Sequence, residues 1–211
     1  MNREEFLKEL EILKITPTER QLNQLEKFYE MLIKWNQVMN LTRITKKKEV
    51  YLKHFYDSLT IVRVVDLNNI KTLCDVGTGA GFPGIVLKIM YPNIQITLID
   101  SLQKRINYLN EVIKELDLQG IETIHKRGED YKGQYDVVVS RAVANIEKLV
   151  GYTMHLVSID GIFIAMKANI EEELNDTVKE KLEKKYRITK IESFCLPLEN
   201  STRNLIVIKR K

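Results

Sequence analysis

The segment Asp75-Val76-Gly77-Thr78-Gly79-Ala80-Gly81 constrains this chain more than any other, because it closes the most strand-like run and leads into a helix-forming stretch. Glycines at such a junction let the backbone turn tightly and approach a ligand, while the following helix offers unpaired N–H groups and a positive dipole end. The expected product is a strand–loop–helix unit that cradles a nucleotide. Asp100 closes the next strand about 20 residues further on, where a carboxylate can meet ribose hydroxyls.

From Lys71 onward, short runs rich in Val and Ile alternate with amphipathic segments, the signature of βαβ units around a parallel sheet. Strands are expected near 71–76, 95–100, 121–126, 135–140 and 161–167, with helices near 83–91, 103–117, 145–157 and 171–185. Val137-Val138-Val139 and Ile162-Phe163-Ile164-Ala165-Met166 are unbroken apolar runs, as strands covered on both faces should be. Residues 187–197 and 203–209 read as two further strands joined by Glu199-Asn200-Ser201, so the sheet should finish with an antiparallel hairpin.

Ahead of the sheet, residues 1–65 read as a helical extension to a 66–211 domain. Phe6, Leu7, Leu10 and Leu13 recur at helical spacing. Thr16-Pro17-Thr18-Glu19 then supplies a capping threonine, a proline at the first helical position and a glutamate completing a capping box. The helix it starts carries Leu22, Leu25, Tyr29, Leu32, Trp35 and Met39 as a stripe that must be buried against something. A third helical stretch is expected around 48–65. The total of 211 residues suits one sizeable α/β core with this appendage, and not two full domains.

Lys plus Arg total 33 against 29 Asp plus Glu, a net charge of +4 that permits a polyanionic partner without requiring one. Two cysteines are too few for a disulfide framework, and Cys74 sits in an apolar run where it acts as a small hydrophobe. The start Met1-Asn2-Arg3-Glu4-Glu5 has no apolar segment behind it, and no apolar run approaches the roughly 18 residues of a membrane span. A soluble, unexported, cytoplasmic monomer is expected.

Gly79-Ala80-Gly81-Phe82-Pro83-Gly84 matches the dinucleotide pattern G-x-G-x-x-G, so NAD(P) competes with other nucleoside ligands. Asp75 tilts the choice. A carboxylate just before the loop would face a pyrophosphate at close range in a partly dry cleft, which is costly. S-adenosylmethionine carries no phosphate and bears an ammonium and a sulfonium that an aspartate stabilises. Asp100 suits the ribose of either ligand. After the third strand, Lys126-Arg127-Gly128-Glu129-Asp130 lies where an adenine would rest, and the Glu129 backbone N–H or side chain could read its edge; a solvated turn is the plainer alternative.

Further ordered motifs accompany the loop: Trp35-Asn36 with Asn40-Leu41-Thr42, His54-Phe55-Tyr56-Asp57-Ser58, Asp100-Ser101-Leu102-Gln103-Lys104-Arg105 and Ser140-Arg141-Ala142. With the glycine segment they resemble the small-subunit ribosomal RNA guanine-N7 methyltransferases, also called glucose-inhibited division protein B, from about Trp35 to the C-terminus. That resemblance implies a class I S-adenosylmethionine-dependent methyltransferase fold, Rossmann-like, with a seven-stranded sheet whose last strand is antiparallel. It also implies transfer of a methyl group to N7 of a guanosine in 16S ribosomal RNA, free or in the small subunit. Cofactor contacts fall on positions matching Gly77, Phe82, Gly128, Glu129 and Arg141, beside Asp75, Gly79 and Asp100 from the loop reading. Phe82 stands where some relatives carry leucine, and Gly128 replaces a small apolar residue.

The acceptor chemistry narrows by what the chain lacks. No Asn/Asp-Pro-Pro-aromatic loop follows the fourth strand, as exocyclic amine methylation commonly uses, and neither cysteine is placed for cytosine C5 attack. Guanine N7 presents a lone pair near neutral pH, so no catalytic base is required and none is identified. Lys53, His54, Lys167 and Arg203 are candidates for RNA contact, with a solvated or structural role as the alternative for each. No His/Cys clustering suggests a metal. An NAD(P)-dependent oxidoreductase and a non-enzymatic RNA-binding module remain as rival readings.

Overall fold

The apolar runs pair into one seven-stranded sheet of β1 (Thr72–Val76), β2 (Gln95–Asp100), β3 (Ile121–His125), β4 (Tyr135–Arg141), β5 (Val157–Lys167), β6 (Tyr186–Cys195) and β7 (Thr202–Arg210). The computed structural model describes residues 1–141 and 144–211, so Ala142 of the Ser140-Arg141-Ala142 motif lies outside the described residues. Strand order is β3-β2-β1-β4-β5-β7-β6, and every neighbouring pair from β3 to β5 is parallel. β7 runs antiparallel to both β5 and β6, so the antiparallel last strand is inserted inside the sheet and leaves β6 at the edge. The order reverses between β1 and β4, which places a ligand crevice at the carboxyl ends of those strands.

Helices cover the sheet in the expected order: α1 (Arg3–Ile12), α2 (Glu19–Met39), α3 (Lys47–Val50), α4 (Asp57–Leu59), α5 (Gly84–Met90), α6 (Gln103–Glu115), α7 (Ile146–Thr153) and α8 (Asp176–Glu183). Two local expectations shift. The cap of α2 is Thr18, not Thr16, and Gln21 completes its capping box. Gln21 also donates to the carbonyls of Ile89 and Met90 at 3.0 and 3.1 Å, so one side chain starts α2 and satisfies the end of α5. β5 begins at Val157, ahead of the apolar run, because the lead-in still pairs with β4 through a register shift.

The third helical stretch is not uniform. α3 passes into a π-helical turn, Tyr51–Tyr56, before α4 and a 3-10 end at Thr60–Arg63. The wide turn leaves Lys53, His54 and Asp57 lining one cavity. The extension shares the apolar core of the sheet: Phe28 lies 5.3 Å from Phe82 of the glycine loop and 5.7 Å from Phe55, and Trp35 lies 5.8 Å from Tyr108 of α6. Of the stripe on α2, Leu22, Leu25 and Leu32 are buried, Tyr29, Trp35 and Met39 pack partly buried against the core, and Phe28 and Met31 complete the buried face. Among the described residues no helix is long and apolar enough to cross a membrane.

Candidate cofactor loop and acceptor cavity

The glycine loop is drawn over two buried carboxylates. Gly77 and Thr78 donate to the carbonyl of Ile99, while Gly79 turns through a positive φ of 61° and donates to Asp100 Oδ2 at 3.0 Å. Gly84 opens α5 so close to β1 and β2 that a Cβ there would strike Leu98 and Asp75. That approach lets Gly84 N–H reach Asp75 Oδ2 at 2.8 Å, and the Thr78 hydroxyl donates to the same oxygen at 2.7 Å. Asp75 Oδ1 is buried without a hydrogen-bond partner among the described residues. Burial pushes the Asp75 carboxyl up to about 6, against the pull of its two donors.

Asp100 is buried at the end of β2, accepting from Leu102 N–H on Oδ1 and from Gly79 N–H and Arg105 Nη1 on Oδ2. Oδ1 keeps a second lone pair for a ligand hydroxyl, whereas both lone-pair sites of Oδ2 are taken. Gly128 starts a 3-10 turn after β3, buried against Val76, and Glu129 beside it is exposed. Asp100→Ala is expected to weaken S-adenosylhomocysteine binding tenfold or more in calorimetric titration, the loss of a charge-assisted contact of about 1.5–3 kcal/mol. An unaltered affinity would remove Asp100 from the cofactor site.

The expected RNA-facing residues converge. Lys53, His54, Lys167 and Arg203 line one cavity of about 230 Å³ together with Asp57, Arg141, Ile44, Met166 and Ala168. Asp57 is its hub, accepting from Arg141 Nη1 at 3.1 Å and Arg203 Nε at 3.0 Å. Arg141 also donates to the carbonyl of Lys53 and to His54 Nδ1, and its guanidinium lies 5.1 Å over the Phe82 ring. Lys53 pairs with Glu199 and Glu49, whose carboxylates raise its pKa, and Lys167 pairs with Glu173 and the Ala144 carbonyl.

His54 behaves as an oriented core side chain on the cavity wall, stacked 4.4 Å from Phe82. Arginine can only donate, so Nδ1 is the acceptor and Nε2–H points at Thr42 Oγ1, 2.9 Å away. Burial and the adjacent Arg141 lower its pKa to about 3. NMR should show a neutral imidazole, Nε2-protonated, throughout pH 5–8; a titration near 6.5 would contradict this arrangement. The motif around Thr42 is explained as well. Asn40 ends α2 in the left-handed region, Asn36 accepts from Thr42 N–H, and the Thr42 hydroxyl is thereby set to receive His54.

Sequence reasoning gave Asp57 no role, although it stood within a quoted motif. Its signal was a lone carboxylate three residues after His54 in an otherwise apolar stretch. The Phe82 ring is buried among Phe28, Phe55, His54 and Arg141. Its backbone stays in the loop. No group of three or more metal-ligating side chains occurs among the described residues.

A seven-stranded sheet with antiparallel β7 inserted between β5 and β6, together with a switch-point crevice, a glycine loop on β1 and an acidic end to β2, defines a class I methyltransferase fold. Two solved structures share it at low identity. StiE O-MT superposes with a TM-score of 0.63 at 15% identity over 84% of this chain and 81% of its own. M. jannaschii TYW2 in complex with AdoMet gives 0.53 at 19%, over 67% and 70%. The family model described as rRNA small subunit methyltransferase G matches residues 21–206. Ribosomal RNA small subunit methyltransferase G of Bacillus subtilis (strain 168) is 45% identical over 100% of this chain and 91% of its own length. The chain belongs to the rRNA small subunit methyltransferase G family.

Proposed function

We propose that this protein transfers a methyl group from S-adenosylmethionine to N7 of a guanosine in 16S ribosomal RNA, acting as a monomer. The observation that carries the reading is Arg141, which lies over Phe82 of the glycine loop and reaches Asp57 and His54 in the basic cavity. Cofactor loop and acceptor cavity thus share a wall. The residues fit a cationic cofactor: Asp75 holds a buried carboxylate oxygen with no partner among the described residues, which a pyrophosphate would meet as a like charge. Asp100 is set for the ribose, and Gly77, Gly79, Gly128 and Glu129 offer backbone and edge contacts around it.

S-adenosylmethionine supplies an electrophilic methyl on a sulfonium. Transfer to N7 would move the positive charge from sulfur to the guanine as the S–C pair returned to sulfur, with no proton to remove. The cavity suits that balance. His54 commits Nδ1 to Arg141, and Asp57 is shared by two guanidiniums, so neither is poised as a base. The protein's contribution is alignment, for which Arg141 and the cavity walls hold acceptor and loop in fixed relation.

The test is transfer of radiolabel from S-adenosylmethionine to small subunits isolated from a strain lacking the enzyme, followed by mapping of the modified base. Label at N7 of one guanosine is expected. Tight RNA binding with no label would support a binding module, and affinity for NAD(H) in place of S-adenosylhomocysteine would support an oxidoreductase.

A further inference from the structure

The charged groups around the cavity are unequally spent. Lys53 faces two carboxylates, Glu199 and Glu49, and Lys167 faces Glu173. Asp57 alone serves both Arg141 and Arg203, leaving that trio with one uncompensated positive charge. Arg141 is fixed through Nη1 and Nη2 to Lys53, Asp57 and His54. Arg203 uses Nε on Asp57 and Nη1 on the Thr202 carbonyl, and its Nη2 bonds nothing among the described residues while its side chain lines the cavity. Arg203 Nη2 is therefore a spare donor of the cavity on a guanidinium with no carboxylate of its own; Arg141 Nε also bonds nothing among the described residues, and the Lys53 and Lys167 ammoniums each keep one N–H.

The remaining walls say what that donor meets. Ile44, Met166 and Ala168 are apolar, and the flat His54 ring is held rigid between Phe82 and Thr42. A planar base suits such walls. Guanine presents N7 and O6 side by side as acceptors, whereas adenine carries an amino donor in place of O6. During transfer N7 must keep its lone pair for the methyl, so a guanidinium can take only O6.

We infer that Arg203 reads the O6 carbonyl of the acceptor guanine through Nη2, with Asp57 as the positioning residue that aims it. This rests on the methyl-transfer reading above and adds to it the means by which guanine is chosen over adenine. Donor meets donor when adenine enters, and the base is rejected. Asp57 touches no substrate; it holds Nε so that Nη2 faces the cavity.

Arg203→Gln in the full-length protein tests this on small subunits lacking the modification. Affinity for S-adenosylhomocysteine should stay within about twofold of wild type, while kcat/KM for the subunit falls at least about tenfold. With adenosine reconstituted at the guanosine mapped for the wild type, the guanosine-to-adenosine rate ratio should narrow about tenfold or more in the variant. The salt slope of subunit binding should not change. Adding Asp57→Asn to Arg203→Gln should narrow the guanosine-to-adenosine ratio no further than the single change, since on that ratio one acts through the other.

Unchanged kcat/KM or an unchanged base ratio would overturn the assignment. So would a salt slope reduced by about 0.7–0.9, which marks a phosphate contact. Additive narrowing of that ratio would remove Asp57 from the role. A wild type that places no label on any guanosine would take down the functional reading itself. A labelling wild type with an equally active Arg203→Gln removes only Arg203.

Discussion

Asp75→Asn is expected to gain about 2–3 kcal/mol of stability relative to wild type between pH 4 and pH 7, and to lose cofactor affinity tenfold or more. The first effect follows from the raised carboxyl. Its ordinary value of 3.8 becomes about 6 in the folded protein, so the unfolded chain releases its proton first as pH rises. Wild-type stability from this group therefore falls through that window and stays low above it. The difference of 6 − 3.8 = 2.2 corresponds to about 3 kcal/mol at about 1.36 kcal/mol for each pH unit. Asparagine retains an oxygen for Thr78 and Gly84 and carries no charge to desolvate. Urea unfolding of both proteins at pH 4 and pH 7 measures the shift, and a difference independent of pH would sink the account.

The second effect has the opposite sign because a cationic ligand favours the ionised carboxylate. An ammonium beside Asp75 lowers its pKa, so binding releases a proton, and wild-type affinity for S-adenosylhomocysteine should rise with pH up to about 6 and then level. In Asp75→Asn the affinity should be low and flat. A carboxylate that destabilises the empty fold and is relieved by its ligand is what a functional site does with strain. If affinity survives the substitution, Asp75 serves the loop alone.

Asp75 also shows how far a sequence can be read. Its position before three glycines, and the Asp100 strand end behind it, were legible because strand-to-loop geometry is set by local residue types. Its burial under Gly84 was not, since that depends on how closely α5 approaches β2. The same limit separates Lys53, Lys167 and Arg203. All are cations in the sequence, yet only their partners reveal that Glu199 and Glu173 neutralise two and that Asp57 is shared by the third. Glu199 lies in the β6–β7 turn and reaches Lys53 across more than half of the sequence, a pairing no periodicity announces. The π turn at Tyr51–Tyr56 was likewise hidden, because a helical apolar pattern does not distinguish i,i+4 from i,i+5 hydrogen bonding.

Phe82→Ala is expected to cost about 3–5 kcal/mol, a large share of the roughly 5–15 kcal/mol that holds a typical domain. The ring joins three parts of the molecule: Phe28 of α2, Phe55 and His54 of the π turn, and Arg141 at the end of β4. Its removal opens a cavity at that junction and frees the His54 ring that accepts from Arg141. Stability and transfer should therefore fall together. Phe82→Leu separates the contributions, since it retains most of the apolar volume while deleting the aromatic stack and a cation–π contact of about 0.5–2 kcal/mol. The leucine variant should keep most of the stability and lose part of the activity. Because the 1–65 helices and the sheet meet through this ring, urea should unfold both variants in a single transition with the wild-type slope and a lower midpoint. A second transition in Phe82→Ala would show that the helical extension folds as a unit of its own, and that the shared core contributes little to coupling the acceptor cavity to the cofactor loop.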